Sequence, residues 1–173
     1  MDIRTQPLSE RRADWFFVVV FSVFALTSFG VDLPILLGID QVREPLAASY
    51  AEIDPLFFAP PPFLFVALAV SAVVWGPLYV YLVWGFVRGR NEIRVPALMY
   101  SAALGLAMVM IIAEELWSPV PGWASPQPAQ FLALNLPYLV VPLLLALRMR
   151  HPFPFGGGVA AAEPLLRRAA HRP

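Results

Sequence analysis

The sequence predicts an all-α fold, an integral membrane four-helix bundle with both termini in the cytoplasm. Hydrophobic residues make up 59% of the 173 residues and charged residues only 14%, which is too apolar for an ordinary soluble domain. Four apolar stretches are long enough to cross a hydrocarbon core of about 30 Å at about 1.5 Å per residue. The basic residues are also distributed unevenly among the segments that flank these stretches.

The four predicted spans are joined by three loops, of which the first, residues 39–62, is too long for a simple connection. The spans are Trp15–Gly38, Phe63–Val87, Val95–Trp117 and Ala129–Leu147. The first resembles a secretory signal because Arg11 and Arg12 precede it, but its apolar run is too long and no small-residue cleavage site follows. It is therefore interpreted as a membrane span that the protein retains.

The loops contain features of their own. Residues 45–50 of the first loop predict a short interfacial helix, which Asp54-Pro55 and the proline run at 60–62 end before the second span. The third loop, residues 118–128, contains four prolines and predicts a rigid cap on the interface. Prolines inside the spans each remove a backbone hydrogen bond and can kink a helix. They are Pro34, Pro77, Pro96, Pro137 and Pro142.

The cationic residues predict the orientation. All 12 are Arg, and 11 of them precede the first span, lie between the second and third, or follow the fourth. Only Arg43 lies on the other side, so the positive-inside rule places both termini and the second loop in the cytoplasm. The predicted domains are a cytoplasmic N-terminal arm (1–14), the four-helix transmembrane domain (15–150) and a disordered basic tail (151–173).

Composition also excludes several kinds of chemistry. The chain has no Cys, so it has no disulfide, no thiol catalysis and no thiolate metal site. Its two histidines, His151 and His171, both lie in the basic tail, so no His-based metal site is expected within the bundle. We expect no cofactor and no nucleic-acid partner.

Polar residues from three spans are predicted to share one depth. Asp32 lies about 25 Å along the first span, and Glu115 about 30 Å along the third. Asn135 lies about 9 Å inward from the start of the fourth span. A charge in hydrocarbon costs several kcal/mol, so such residues face the bundle interior and tend to mark a binding or catalytic site.

Helical spacing adds apolar and aromatic neighbours to this layer. The third span has one inward face, the fourth another, and the second an aromatic stripe. These faces are Ser101, Gly105, Met108, Ile112 and Glu115; Asn135, Tyr138 and Pro142; and Trp75, Tyr79, Leu82 and Phe86. Together they would suit a lipid-like or cationic amphiphilic ligand. Purely structural roles stay open: Asp32 as a helix-end cap, Asn135 as an interhelical hydrogen-bonding residue, and the aromatic stripe as packing.

Several motifs in order resemble the EXPERA superfamily over about residues 11–153. No single motif carries the resemblance, but their order and spacing together do. They are Phe-Gly-Val-Asp-Leu at 29–33, Tyr-Ala-Glu-Ile-Asp-Pro at 50–55, Trp-Gly-Pro-Leu at 75–78, Val-Pro-Ala-Leu-Met-Tyr-Ser at 95–101, Leu-Pro-Tyr-Leu-Val-Val-Pro at 136–142 and Arg-His-Pro-Phe at 150–153.

Two branches of this superfamily imply different roles for the same residues. The sigma-2 receptor branch implies an acidic pair, Asp32 and Asp54, in which one carboxylate binds a ligand amine and the other holds its partner by hydrogen bonding. The sterol isomerase branch implies roles for Asn135 and Glu115 and moves a ring double bond by protonation and deprotonation. The isomerases have a His that the first span lacks, and Leu68 stands where they have a second Glu.

The predicted function is therefore binding of a sterol-like or other hydrophobic, cationic amphiphilic ligand in a pocket within the membrane. Asp32 and Asp54 form its polar end, and Tyr50, Trp75, Tyr79, Met108, Glu115, Asn135 and Tyr138 line it. The first alternative is a lipid or sterol double-bond isomerase, with Asp32, Asp54, Glu115 and Asn135 as candidate catalytic residues. The second is a structural or chaperone-like membrane partner.

Partners and location follow from the same reading. The expected partners are the amphiphilic ligand and membrane lipid, and a homodimer stays open. Heavy Arg, Ala and Pro usage favours a bacterial inner membrane, whereas in a eukaryote the resemblance implies the endoplasmic reticulum.

Overall fold

The fold is entirely helical in the part of the chain that the structure, a computed structural model, describes: residues 7–58 and 60–156. These residues form six α-helices. They are α1 (Asp14–Leu36), α2 (Asp40–Tyr50), α3 (Pro55–Phe58), α4 (Pro62–Arg88), α5 (Arg94–Trp117) and α6 (Pro128–Arg148). Helices α1, α4, α5 and α6 are long and apolar enough to cross a membrane, which confirms the predicted all-α, four-span fold.

The four long helices pack in two pairs, α1 against α4 and α5 against α6. Aromatic rings join the pairs in the centre of the bundle. Phe21 stacks on Tyr79 at 5.8 Å between ring centroids and meets Tyr100 edge to face at 6.0 Å. All three side chains are almost fully buried, so a rigid aromatic core fixes how the four helices face one another.

The predicted inward faces are confirmed by burial. On α5, Ser101, Met108 and Glu115 are buried, and on α4, Tyr79 and Phe86 are buried. Apolar side chains on the opposite faces are exposed, as helices that contact lipid require.

Helices α1 and α4 each contain a π-helical turn, Ser28–Asp32 in α1 and Ser71–Trp75 in α4. In both helices a proline, Pro34 or Pro77, follows the π turn by two residues. Proline has no N–H to give to the preceding turn, and a widened turn is one way for the helix to continue through that missing bond. The two π turns lie side by side, so polar side chains near them meet between α1 and α4.

At one end of the bundle, which we name the basic end, a buried carboxylate joins α1 to α6. Asp14 is 1% exposed and is contacted by the guanidinium groups of Arg11 and Arg148. Arg148 Nε donates to Asp14 Oδ1 at 2.8 Å, and Arg11 donates to the main-chain oxygen of Phe86 at 2.8 Å. Both guanidinium groups also lie about 5 Å over the ring of Phe155, which is itself buried.

Residues 149–156 fold back beneath this end. Arg94 Nε donates to the main-chain oxygens of Met149 and His151, and Asn91 bonds to the backbone of Phe155 and Gly156. The predicted disordered tail begins at residue 151, but its first six residues lie against the bundle. Residues 157–173 of that tail and residues 1–6 of the predicted N-terminal arm lie outside the described residues. The orientation of this end toward the cytoplasm stays a prediction.

At the opposite end, which we name the acidic end, the first and third loops pack together. The interfacial helix α2 is longer than predicted and begins at Asp40 rather than Pro45. Ser125 of the third loop donates its hydroxyl to the Ile53 main-chain oxygen at 2.6 Å, and its N–H bonds to the Glu115 main-chain oxygen at 2.8 Å. The third loop thus caps the bundle as predicted, with Ser125 as its anchor.

Candidate functional site

Asp32 lies where the two π turns meet. Ser71 of α4 donates its hydroxyl to Asp32 Oδ2 at 2.6 Å, and Ser28 lies 3.5 Å from the same hydroxyl. A Cβ added at Gly76, next to the α4 turn, would sit 3.1 Å from the Phe29 ring, so this glycine permits the close approach of the helices. Asp32 therefore has one firm donor and stays partly exposed.

Asp54 is held by the start of α3. Its carboxylate accepts the N–H of Phe57 at 3.0 Å, which is the N-cap arrangement, and Pro55 occupies the first helical position that proline favours. The side chain is 7% exposed. Burial raises the pKa of the Asp54 carboxyl, while hydrogen bonds from Glu115, the Phe57 N–H and Asn135 limit that rise.

Glu115 of α5 lies beside Asp54. Its side chain is 0% exposed, and neither carboxyl oxygen accepts a hydrogen bond from the described residues. Its neighbours are the Asp54 carboxyl and the backbone of Leu56. A fully buried acid without a donor is uncommon, because an unsatisfied buried polar group costs about 1–3 kcal/mol and more if it is charged.

Tyr50 and Asn135 complete this cluster, which we name the Asp54 cluster (Tyr50, Asp54, Glu115 and Asn135). Burial, and next the charge of Asp54, raises the pKa of Tyr50 to about 12, so its hydroxyl stays protonated and can donate. Asn135 Nδ2 donates to the Phe131 main-chain oxygen at 3.1 Å, and its amide also interacts with Tyr50 and Asp54. Four polar side chains from four parts of the chain thus converge at the acidic end.

Tyr138 lies between Asp32 and the Asp54 cluster. Its hydroxyl is 3.5 Å from Thr27 Oγ1, and its ring stacks on Phe24 with centroids 4.4 Å apart. It is within electrostatic range of both Asp32 and Tyr50. The two polar groups are therefore neighbours within one region of the bundle.

The remaining predicted lining residues lie deeper. The Tyr100 hydroxyl donates to the Tyr79 hydroxyl at 3.3 Å, and Trp75 meets the Tyr100 ring edge to face at 5.3 Å. Met108 is 5% exposed and belongs to the same packed core. These side chains form an apolar and aromatic floor below the polar residues.

An apolar groove of about 480 Å³ opens on the lipid-facing surface between α1 and α6. Phe24, whose ring stacks on Tyr138, and Pro137, in the chain next to Tyr138, both line it. The groove thus lies one ring away from the polar region.

The structure brings together most of the predicted site residues but pairs them differently. The resemblance implied that Asp32 and Asp54 are partners, whereas Asp32 bonds to Ser71 and Asp54 interacts with Glu115 and Asn135. Ser71 was absent from the predicted site. Its signal is that it is the one non-aromatic polar side chain of α4 before the terminal Arg88.

The fold and the site define a class: a four-span helical membrane protein with carboxyl groups gathered at one end of the bundle. Comparison with protein families identifies the family within this class. The model of the EXPERA (EXPanded EBP superfamily) family matches residues 43–149, which is more than half of the chain and includes the Asp54 cluster. The chain therefore belongs to the EXPERA superfamily.

A known protein is similar to this chain over a longer stretch than the family model covers. The chain is 28% identical over 152 residues to Sigma intracellular receptor 2 of Xenopus tropicalis, covering 80% of this chain and 88% of that protein. No solved structure matches the chain significantly. Within the described residues, no three His, Asp or Glu side chains are grouped to hold a metal ion.

Proposed function

We propose that this protein binds a sterol-like or other hydrophobic, cationic amphiphilic ligand within the membrane, with Asp32 and Asp54 at the polar end of the site. One observation carries the proposal. No ion pair joins Asp32, Asp54 or Glu115 to an arginine within residues 7–58 and 60–156, whereas Asp14 at the basic end has two arginine partners.

The absence of a cationic partner there has an energetic consequence. An ionised carboxylate in a medium of low dielectric constant is stabilised by a nearby cation far more strongly than it would be in water. A ligand amine would supply that cation, while the aromatic rings of Tyr138 and Trp75 would contact its apolar body. The arrangement therefore favours a ligand that is charged at one end and apolar at the other.

The groove between α1 and α6 supports access from the lipid. An apolar ligand dissolved in the bilayer would contact the groove first, and rotation of the Phe24 and Tyr138 rings would open a way to the polar residues. The relative from Xenopus is named as an intracellular receptor, which agrees with ligand binding.

Binding of matched amphiphiles tests the proposal. Purified protein in nanodiscs would be titrated with an alkyltrimethylammonium ion and with the alcohol of the same chain length. We expect the cation to bind more tightly than the alcohol and to raise the melting temperature more. Asp32→Asn and Asp54→Asn should each reduce this difference about tenfold or more, the effect of losing one charge-assisted contact.

A control variant and mass spectrometry make the outcome decisive. Glu44→Gln removes an exposed carboxylate of α2 and should leave cation binding unchanged. Lipids that copurify with the protein should differ between the wild type and Asp32→Asn. If both aspartate variants match the wild type in lipid content and thermal shift, the structural or chaperone-like alternative is correct instead.

A lipid or sterol double-bond isomerase is a second candidate, favoured by the closeness of the Asp54 and Glu115 carboxyl groups. Two neighbouring acids can hold one proton between them, and double-bond migration needs a proton donor and a proton acceptor. Conversion of a sterol intermediate by the purified protein, abolished in Asp54→Asn and retained in Glu44→Gln, would establish it. Binding without conversion supports the first proposal.

A further inference from the structure

The carboxyl groups of Asp32, Asp54 and Glu115 have unequal surroundings. Asp32 accepts the Ser71 hydroxyl, and Asp54 accepts the Phe57 N–H, so each has a donor that stabilises its ionised form. Glu115 is fully buried and neither of its oxygens accepts a hydrogen bond from the described residues. This difference in hydrogen-bond donors indicates that Glu115 has a different role in the site from Asp32 and Asp54.

Protonation gives Glu115 the partner it otherwise lacks. An ionised carboxylate accepts hydrogen bonds only, and the group beside it is another acceptor, the Asp54 carboxylate. Two ionised acids would repel each other inside the bundle, and the Leu56 backbone beside Glu115 would offset that repulsion only in part. A protonated Glu115 instead donates its O–H to Asp54, which satisfies the donor and adds an acceptor contact for the anion.

We propose that Glu115 is a neutral hydrogen-bond donor that keeps Asp54 ionised, and that it thereby sets the pH range over which the site prefers a cationic ligand. Glu115 is on this view a positioning residue that acts through Asp54. The inference rests on the proposed ligand-binding function and assigns separate roles to two acids of that site.

The other groups around Glu115 agree with a single negative charge in the cluster. From α2 Tyr50 lies within electrostatic range of Glu115 with a protonated hydroxyl. From α6 the neutral amide of Asn135 interacts with Tyr50 and Asp54, the other members of the cluster. From the third loop Ser125 contributes its backbone N–H to the Glu115 main chain. No arginine among the described residues pairs with it. Among the described residues, Asp54 is the acid whose side chain interacts with that of Glu115, and one proton serves both.

The affinity for a cation depends on pH through the charge of Asp54. Cation binding needs ionised Asp54, so affinity falls as the pH falls through the pKa of Asp54. The hydrogen bond from Glu115 lowers that pKa, which burial otherwise raises. Removal of the donor in Glu115→Leu should therefore move the loss of affinity to higher pH. Glu115→Gln keeps a neutral N–H donor and should restore most of the affinity that Glu115→Leu loses.

The experiment measures affinity for an alkyltrimethylammonium ion from acidic to neutral pH in nanodiscs. This probe carries a permanent charge, so the ligand itself does not titrate. Near the wild-type midpoint we expect Glu115→Leu to bind about tenfold more weakly, the effect of one hydrogen bond to a charged group, with Glu115→Gln near the wild type. The matched control is Glu114→Leu, the neighbouring and partly exposed acid, which should leave the pH profile unmoved.

Two further readouts separate the possible failures. In ligand-free protein at neutral pH, the infrared spectrum should show the C=O stretch of one protonated carboxyl group that is lost in Glu115→Gln. Absence of that band, or Glu115→Gln binding as weakly as Glu115→Leu, would overturn the role of Glu115 while leaving ligand binding intact. If the wild type binds neither the cation nor the alcohol, the proposed function fails, and this inference fails with it.

Discussion

Gly85 of α4 is predicted not to tolerate alanine. A Cβ at this position would lie 2.1 Å from Ile93 Cγ2 and 3.2 Å from Ile93 Cβ, and Ile93 is 0% exposed. Ordinary carbon contacts lie at about 3.5–4.0 Å, so the Ile93 side chain would have to withdraw by about 1.5 Å. Its Cβ is also too close, so rotation about χ1 alone does not relieve the overlap.

The expected magnitude combines two opposing effects. Overpacking of this kind costs about 1–3 kcal/mol. Alanine regains about 0.5–1 kcal/mol over glycine in a helix interior. Gly85→Ala should therefore lower the free energy of unfolding by about 1–2 kcal/mol. Gly105→Ala on α5 is the matched control, because a Cβ there meets no atom within 4 Å and only the helix gain remains.

Reversible unfolding in mixed micelles, followed by circular dichroism, provides the assay. In an Ile93→Ala background most of the cost of Gly85→Ala should disappear, since Cγ2 and Cδ1 are gone and only the Cβ contact at 3.2 Å remains. A double-mutant cycle measures this coupling. Overlap with Ile93 is refuted as the cause if Gly85→Ala is as stable as Gly105→Ala, or if most of its cost persists after Ile93 is truncated.

Three further predictions concern charged groups. Asp14→Asn should lower the free energy of unfolding by about 3 kcal/mol. This value is at the low end of the range for breaking a buried ion pair, because the Arg148 side chain is 25% exposed. Unchanged thermal unfolding would contradict this prediction. Ser71→Ala should cost about 1.5 kcal/mol because Asp32 loses its donor, whereas Ser71→Thr, which keeps the hydroxyl, should cost less in the same assay. Burial raises the pKa of Asp54, so the folded protein binds this proton more tightly than the unfolded chain does. The stabilisation is complete below the pKa of Asp54 in the unfolded chain and is lost as the pH rises through its pKa in the folded protein. The free energy of unfolding, measured against pH, should show this loss in the wild type and not in Asp54→Asn.

The sequence predicts the spans well because hydrophobic length alone determines them. A segment of about 20 apolar residues has few alternatives in a bilayer, so each predicted boundary lies within a few residues of the observed helix. Depth counting likewise placed Glu115 and Asn135 in one layer, and the structure joins them through Asp54. These inferences depend on distances along a helix, which are nearly constant.

The pairing of Asp32 is harder to predict because it depends on rotation rather than on depth. A π turn adds a residue to the turn and so rotates all following side chains about the helix axis. Both α1 and α4 contain such a turn at the site, and there Ser71 rather than Asp54 contacts Asp32. Regular 3.6-residue spacing contains no sign of that rotation.

The arginine cluster of the basic end was also outside the predicted site. Arg11 and Asp14 are three residues apart, a spacing that places both on one helical face. The sequence therefore indicates the contact of Asp14 with Arg11. The second partner of Asp14, Arg148, is 134 residues away in the chain, and only the tertiary structure brings the two together.

That separation has a consequence for assembly during synthesis. Asp14 emerges from the ribosome among the first residues, but Arg148 and Phe155, which enclose it, are among the last of the described chain to be made. Until then this carboxylate has only Arg11 beside it at the membrane surface. The basic end of the bundle can therefore close only once the fourth helix has been made, and a chain interrupted before residue 148 would lack the Arg148 contact that encloses Asp14.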